Sequence, residues 1–117
     1  MNQKQDRTKI IVKQGGRIRF VNMQEVLYIE SLGRKAVLHL SDETIEYYAK
    51  ISQLESQLHP YFFRTHRAYL INLQYVQSYT RREVVLKNAD SVLISKYRLH
   101  DFQKAIEKSH KILANSL

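Results

Sequence analysis

Residues 62–72 read FFRTHRAYLIN, and this stretch decides the fold class. It is rich in aromatic and β-branched side chains, which fit the pleated surface of a sheet, and it contains neither glycine nor proline. The composition predicts a strand through the whole of Phe62–Asn72. Because successive side chains of a strand point to opposite faces, Arg67 is expected opposite His66 and Ala68. The chain is therefore expected to be built mainly from β-strands.

Short apolar or alternating segments lie on both sides of this stretch, separated by turn signals. Gly15-Gly16 suits a hairpin turn, because glycine adopts positive φ at no steric cost. Asn88-Ala89-Asp90 marks another turn. Strands at such short spacing are typical of an antiparallel meander. The predicted strands cover residues 9–13, 17–21, 26–30, 36–40, 43–48, 76–80, 83–87 and 91–94.

Two segments change to the spacing of three to four residues that marks a helix. The first predicts a short helix over Ser52–Leu58, with Ser52 and Glu55 as a capping box and Pro60 as the stop. The second predicts a C-terminal helix with Ser95 as its N-cap. The expected fold is mainly β with a smaller α part. The apolar face of the C-terminal helix consists of Leu99, Phe102, Ile106 and Leu113.

Length and composition restrict the class of protein further. A chain of 117 residues with 44% hydrophobic residues accommodates one packed domain. The polar residues 1–8 are expected to be flexible, which leaves 9–117 as that domain. The absence of cysteine excludes disulfides, cysteine-bound zinc and cysteine nucleophiles. No signal peptide and no run of about 18 apolar residues is visible, so a cytoplasmic protein that does not enter the membrane is expected.

The charge of the chain is strongly positive and unevenly distributed. The net charge is +8, which favours an anionic partner such as nucleic acid or a membrane surface. Residues 41–60 carry four acidic groups and one basic group, while residues 1–40 and 61–100 each carry a net +5. If the two basic segments share a face, that face is the binding surface.

Three motifs in the same order resemble those of the LytTR DNA-binding domains of bacterial transcriptional regulators. Residues 62–72 resemble the family signature F-x-R-x-H-R-S-Y-x-[VI]-N. Val26–Ser31 resembles its I-x-Y-I-E-S strand, and Val92–Tyr97 resembles its x-I-P-V-S-R-x-Y junction. The resemblance covers about residues 9–107. The chain departs from the pattern at Ala68, where the family usually has serine, and at Lys96, where it often has arginine.

The resemblance implies an elongated stack of small antiparallel sheets with one short mid-chain helix and a C-terminal helix. It implies binding of double-stranded DNA at promoter repeats, as a homodimer, by the output domain of a regulator. That regulator is either a two-component response regulator, with a receiver domain or sensor kinase upstream, or a relative without a receiver. No cofactor, metal or catalytic activity is implied.

The resemblance also implies that loops on one face contact the DNA. Gly33-Arg34-Lys35 is such a loop, and its alternative interpretation is a solvated surface hairpin. Arg67 is the candidate for base readout, because the arginine fork matches the acceptors of guanine. The alternative for Arg67 is an ion pair with Glu43, Glu46 or Glu55.

Two further groups of basic residues are candidates for phosphate contacts. Lys96-Tyr97-Arg98 lies at a predicted helix start, where unpaired N–H groups attract phosphate, or else serves as an ordinary cap beside Ser95. The second, weaker group consists of Arg81, Arg82 and Lys87. Arg17 and Arg19 alternate with apolar residues and are interpreted as a solvated strand face.

Several residues and patterns point away from chemistry. His66 is expected to bond a backbone group and Asn72 to form a turn, and no H-x-x-x-H pair predicts a metal site. No nucleotide-binding loop or hydrolase elbow is found, so the chain is not expected to be an enzyme. Two alternatives remain open. The eight tyrosines could stack on single-stranded RNA or DNA, and the acidic segment 42–55 or the C-terminal helix could bind another protein.

Overall fold

The computed structural model describes residues 8–110. Within these residues it contains ten strands and two α-helices, one in the middle of the chain and one after the last strand. Of the N-terminal segment 1–8 that was predicted to be flexible, only Thr8 is described. Leu113, predicted on the apolar face of the C-terminal helix, also lies outside the described residues. The strands are β1 (Lys9–Gln14), β2 (Arg17–Asn22), β3 (Val26–Leu32), β4 (Lys35–Leu40), β5 (Thr44–Tyr48), β6 (Phe62–His66), β7 (Tyr69–Asn72), β8 (Val76–Tyr79), β9 (Glu83–Leu86) and β10 (Ser91–Leu93). The helices are α1 (Ile51–Leu58) and α2 (Leu99–Ser109).

The strands form three small antiparallel sheets, which confirms the predicted fold class. One sheet is the hairpin β1-β2, the central sheet has the order β5-β4-β3-β7-β6, and the third has the order β10-β9-β8. The pairing of β3 with β7 joins segments that are far apart in sequence, with Ile29 opposite Leu70 and Glu30 opposite Tyr69. Two of the three sequence motifs therefore lie side by side.

Both faces of the central sheet are covered by apolar side chains. On one face, Leu70 packs in a cluster with residues of α1 and of the β1-β2 hairpin, including Leu58 and Val12. On the opposite face, Ile71 packs in a second cluster with residues of the third sheet and of α2, including Val84 and Phe102. The domain is thus held together by apolar burial on both sides of one central sheet.

The prediction of one continuous strand over Phe62–Asn72 is wrong. The segment is a hairpin, in which β6 ends at His66, Arg67 and Ala68 form the turn, and His66 pairs with Tyr69. The register shifts between Arg64 and His66, and such a bulge bends a strand. The turn contains no glycine, proline or asparagine, so no local signal revealed it. Arg67 therefore lies at a hairpin tip rather than on a strand face.

The capping box predicted at the first helix is also wrong. The helix begins at Ile51, and the Lys50 backbone carbonyl accepts the N–H groups of Gln53 and Leu54 at 3.1 and 3.3 Å, with no side-chain cap. The Glu55 carboxylate instead binds the Arg64 guanidinium, so both partners of its hydrogen bond are charged. The helix ends at Leu58, before Pro60, as predicted.

The polar and apolar residues of β2 alternate as predicted over Arg17–Phe20, but the apolar side chains of that segment point outward. Ile18 and Phe20 are 58% and 66% exposed, whereas Arg19 lies on the inner face and binds Glu43 at 2.6 Å. The inner face is set by β1, because Val12 opposite Arg19 is fully buried. The solvated-face interpretation therefore holds for Arg17 and only in part for Arg19.

Candidate nucleic-acid interface

The β3-β4 connection is tighter than the predicted loop. It consists of Gly33 and Arg34 alone, and Gly33 adopts a φ of 63°, which favours glycine. The Arg34 side chain is exposed. Lys35 already belongs to β4, with its Nζ 3.9 Å from Glu46 Oε2 and 5.1 Å from the centre of the Tyr48 ring. Arg34 is therefore the more available cation of this pair.

The Arg67 turn lies next to the Arg34 turn. The Ser31 N–H donates to the Ala68 carbonyl at 2.8 Å, which extends the β3-β7 pairing to the base of the hairpin tip. Leu32 at the end of β3 and His66 at the end of β6 therefore lie at the same end of the central sheet. We call this end of the molecule, with its turns, the basic end.

The junction between β10 and α2 is bonded to the same end. The Ser95 N–H donates to the Thr65 carbonyl at 2.8 Å, and the buried Thr65 Oγ1 donates to the Leu93 carbonyl at 2.9 Å. Ser95 caps a 3-10 turn over Lys96–Arg98 by accepting the Tyr97 N–H at 3.3 Å. The three residues Lys96, Tyr97 and Arg98 are all exposed beside the Arg67 hairpin.

The structure divides the weaker candidates. Arg81 and Arg82 form the β8-β9 turn, and the Arg82 carbonyl accepts the Ile94 N–H at 2.9 Å, beside the junction at the basic end. Lys87 follows the opposite end of β9 and lines a groove together with Glu25 and Asp42. The basic end thus gathers eight of the nine candidates and does not include Lys87.

Sequence reasoning missed Arg64, which builds the Arg67 turn. Its Nε donates to the carbonyls of His66 and Arg67 at 3.1 and 3.2 Å, and its Nη2 donates to the Arg67 carbonyl at 2.6 Å. Its Nη1 binds Glu55 Oε1 at 2.8 Å, and its side chain is only 15% exposed. The Arg64 carbonyl accepts Arg98 Nη1 at 3.1 Å. Arg64 therefore joins α1, the hairpin tip and the β10-α2 junction.

The acidic segment neutralises basic residues away from the tips of the turns. Glu43, Glu46 and Glu55 pair with Arg19, Lys35 and Arg64 respectively. The Arg19 hydrogen bond lowers the pKa of the Glu43 carboxyl below its usual value. The alternative ion pair for Arg67 is not formed within residues 8–110. In the same range, Arg34, Arg81 and Arg82 also have no carboxylate partner.

His66 and Asn72 have the structural roles expected of them. His66 Nδ1 accepts the Ala68 N–H at 3.1 Å and so stabilises the turn. The buried Asn72 side chain donates to the Val26 carbonyl at 3.0 Å and accepts the Gln74 N–H at the start of a 3-10 turn. His66 thus holds the turn that presents Arg67, whereas Asn72 anchors the opposite end of β7 to the start of β3.

A polar network crosses the central sheet behind the basic end. The Tyr28 hydroxyl donates to Asp90 Oδ2 at 2.9 Å, and its ring stacks on His39 with the centroids 4.1 Å apart. Burial, together with the bond to Asp90, raises the pKa of Tyr28. His39 Nε2 lies 3.0 Å from Glu30 Oε1. Tyr28 is buried, whereas the His39 and Glu30 side chains are 16% and 30% exposed, and within residues 8–110 no group of three or more potential ligands could hold a metal.

The tyrosines do not form one stacking platform. Tyr28 and Tyr47 are buried, and burial raises the pKa of Tyr47 to about 12. Tyr48 lies at the basic end, whereas Tyr61 precedes β6 at the opposite end of the central sheet. The exposed tyrosines therefore belong to separate elements, namely Tyr48, Tyr61, Tyr79 and Tyr97.

A β-rich domain with exposed, unpaired arginines gathered on loops at one end has the architecture of a nucleic-acid-binding domain. A family model described as the LytTr DNA-binding domain matches residues 16–107. The chain therefore belongs to the LytTR family of DNA-binding domains. None of the helices within residues 8–110 combines the length and the apolarity needed to cross a membrane.

Known proteins similar to the chain include bacterial regulators. The transcriptional regulatory protein NatR of Bacillus subtilis is 22% identical over 102 residues, which is 81% of this chain and 44% of NatR. Accessory gene regulator protein A of Staphylococcus epidermidis is 29% identical over 90 residues, which is 74% of this chain and 37% of that protein. The chain thus spans less than half the length of these relatives.

A solved structure has the same fold. It is the LytTr DNA-binding domain of a methyl-accepting/DNA response regulator from Bacillus cereus, with a TM-score of 0.72 and 19% sequence identity. The match covers 85% of this chain and 96% of that domain. The two chains therefore share the same fold over most of their length.

Proposed function

We propose that this chain binds double-stranded DNA sequence-specifically as the output domain of a bacterial transcriptional regulator. The observation that carries the proposal is the row of turns at the basic end, on which Arg34, Arg67, Arg81 and Arg82 are exposed and lack carboxylate partners within residues 8–110. The names of NatR and of accessory gene regulator protein A as regulators support it.

The residues at the basic end divide into base readout and phosphate contact. Arg67 reads a base edge, because its side chain extends from a hairpin tip whose backbone is held rigid by Arg64 and His66. The surrounding cations, together with the Tyr97 hydroxyl, contact phosphates on both sides of it. Insertion of several turns into successive grooves bends the duplex, which adds recognition through deformability. The phosphate contacts come from Arg34, Lys35, Arg81, Arg82, Lys96 and Arg98.

The proposal extends to the whole protein. Because the chain spans less than half of its relatives, we propose a longer regulator with a receiver domain or sensor kinase acting upstream. We propose that it acts in the cytoplasm, without catalytic activity, as a homodimer on promoter repeats. Within this scheme Lys87, which follows the opposite end of β9 from Arg81 and Arg82, is not assigned a DNA contact.

A salt series on two nucleic acids tests the proposal. Binding to random duplex DNA and to single-stranded RNA of equal length is measured by fluorescence anisotropy. We expect tighter binding to the duplex, and phosphate contacts by the six cations named above would give a slope of log affinity against log salt of about −5.4. Tighter binding to RNA would favour the single-strand alternative, and no duplex binding at low salt would favour the protein-interaction alternative.

Replacing Arg64 with lysine tests how the Arg67 turn is held. Lysine keeps the charge but loses the fork that binds the Arg67 carbonyl and Glu55 together. On an operator selected from a random duplex library, we expect a loss of about 1–2 kcal/mol, with a smaller loss on random DNA and an unchanged salt slope. Arg81→Lys is the matched control, because the Arg81 side chain is exposed in a turn. Equal losses on both DNAs with a reduced slope would instead make Arg64 a phosphate contact.

A further inference from the structure

The outward face of the first hairpin is an exposed apolar patch. Ile11 lies directly opposite Phe20. Ile18, opposite Lys13, is two residues from Phe20 along β2 and therefore lies on the same face. These three side chains are 54%, 66% and 58% exposed. A cross-strand group of large apolar side chains in water marks an interaction surface more often than a chance exposure. Of the three residues, Ile11 on β1 precedes the part of the chain that the family model matches, whereas Ile18 and Phe20 on β2 lie within it.

The charge around the patch restricts what can cover it. Lys9 and Lys13 lie on the same outward face, which carries no carboxylate. Neither lysine forms an ion pair with any residue between 8 and 110. Two such faces packed directly together would bring lysines near lysines. The partner surface must therefore be apolar at its centre and acidic at its edge.

The chain itself contains a surface of that kind. At the end of the central sheet opposite the basic end, an open groove of about 490 Å³ contains the side chains of Leu27, Leu40 and Tyr75. Glu25, Asp42 and Lys87 line its edge and form no ion pair within residues 8–110, whereas Glu43 is bound to Arg19, so the unpaired groups of the edge carry a net charge of −1. Its volume falls in the range of about 300–1,000 Å³ that holds drug-sized groups, which is ample for an aromatic side chain.

We propose that the outward hairpin face of one copy docks into this groove of a second copy. Phe20 and the two isoleucines meet the apolar floor, and Lys9 and Lys13 meet Glu25 and Asp42. The groove lies at the end opposite the basic end, so the contact leaves the DNA-binding turns of both copies accessible. The inference goes beyond the proposed function and does not depend on it, because the hairpin face and the groove are separate from the basic end that is proposed to bind DNA.

Two variants and their mixture test the contact. Sedimentation velocity over a concentration series at low salt measures the dimer dissociation constant of the chain. Phe20→Glu places a carboxylate in the patch, and Asp42→Lys reverses a charge at the groove; both positions are exposed. We expect each variant alone to raise the dissociation constant at least tenfold. An equimolar mixture should associate again, because the Phe20→Glu copy keeps its groove and the Asp42→Lys copy keeps its hairpin face.

Other outcomes would overturn the proposal. These are a wild-type chain that stays monomeric up to about 1 mM, the weak end of protein association, and a mixture that associates no better than its components. Loss of association in Phe20→Glu but not in Asp42→Lys would indicate face-to-face packing of two hairpins. Far-UV circular dichroism and unchanged binding of both variants to random duplex at low salt show that fold and DNA binding are intact, so failure here is distinct from failure of the proposed function.

Discussion

Replacing Arg67 with alanine is expected to weaken binding to the operator by about 1–3 kcal/mol, which is roughly a 5- to 150-fold loss of affinity. The guanidinium extends from a hairpin tip and has no carboxylate partner within residues 8–110, so the substitution removes a DNA contact without breaking an ion pair. On random duplex DNA the loss should be smaller, because only the base contact is specific. Fluorescence anisotropy on both duplexes measures the two losses.

Lys87→Ala is the matched control for this prediction. It removes the same formal charge from an exposed side chain at the other end of β9. We expect little change on either duplex. Equal losses on operator and random DNA for Arg67→Ala would assign Arg67 to phosphate contact, and a large loss for Lys87→Ala would mean that the binding surface is not the basic end.

Replacing Phe102 with alanine is expected to destabilise the domain by about 3–5 kcal/mol. Phe102 is fully buried in the second apolar cluster. Its ring meets Phe63 of β6 and Tyr79 of β8 edge-on, with centroids 5.6 and 5.1 Å apart. The substitution leaves a cavity where α2 joins two sheets. Urea denaturation followed by circular dichroism measures the free energy of unfolding.

Phe102→Leu provides the comparison for the cavity. It retains most of the apolar volume and loses the two aromatic contacts, which are worth about 0.5–1.5 kcal/mol each beyond burial. We expect it to be clearly more stable than Phe102→Ala. A loss below about 1 kcal/mol for Phe102→Ala would show that α2 does not depend on this residue for its position.

Local signals were sufficient for most of the elements. Alternation and β-branched residues predicted β3, β4 and β5 of the central sheet to within two residues at their ends, and Pro60 predicted the end of α1. These predictions succeeded because periodicity and turn residues act within a few positions of the chain. The turn at Arg67 and Ala68 was not predicted, because no residue there favours a turn by itself.

The site was predicted as a set of positions rather than as an arrangement. Arg64 and Arg67 are both arginines in one polar and aromatic segment, and nothing in the sequence distinguishes them. Arg64 is a partly buried positioning residue because its guanidinium binds Glu55 and the backbone carbonyls of the turn. In the same way, Lys87 was separated from Arg82 by the direction of β9.

The amino-acid sequence by itself determined the β-rich class, the family and the excess of positive charge, because these depend on composition and on short motifs. The tertiary structure alone decided which cations are neutralised by the acidic segment, which ones meet at the basic end, and which face of the first hairpin is exposed. Those outcomes depend on pairings between distant segments, such as β3 with β7, and on competition among several partners for each charge. A linear pattern contains the candidates for such pairings, and packing selects among them.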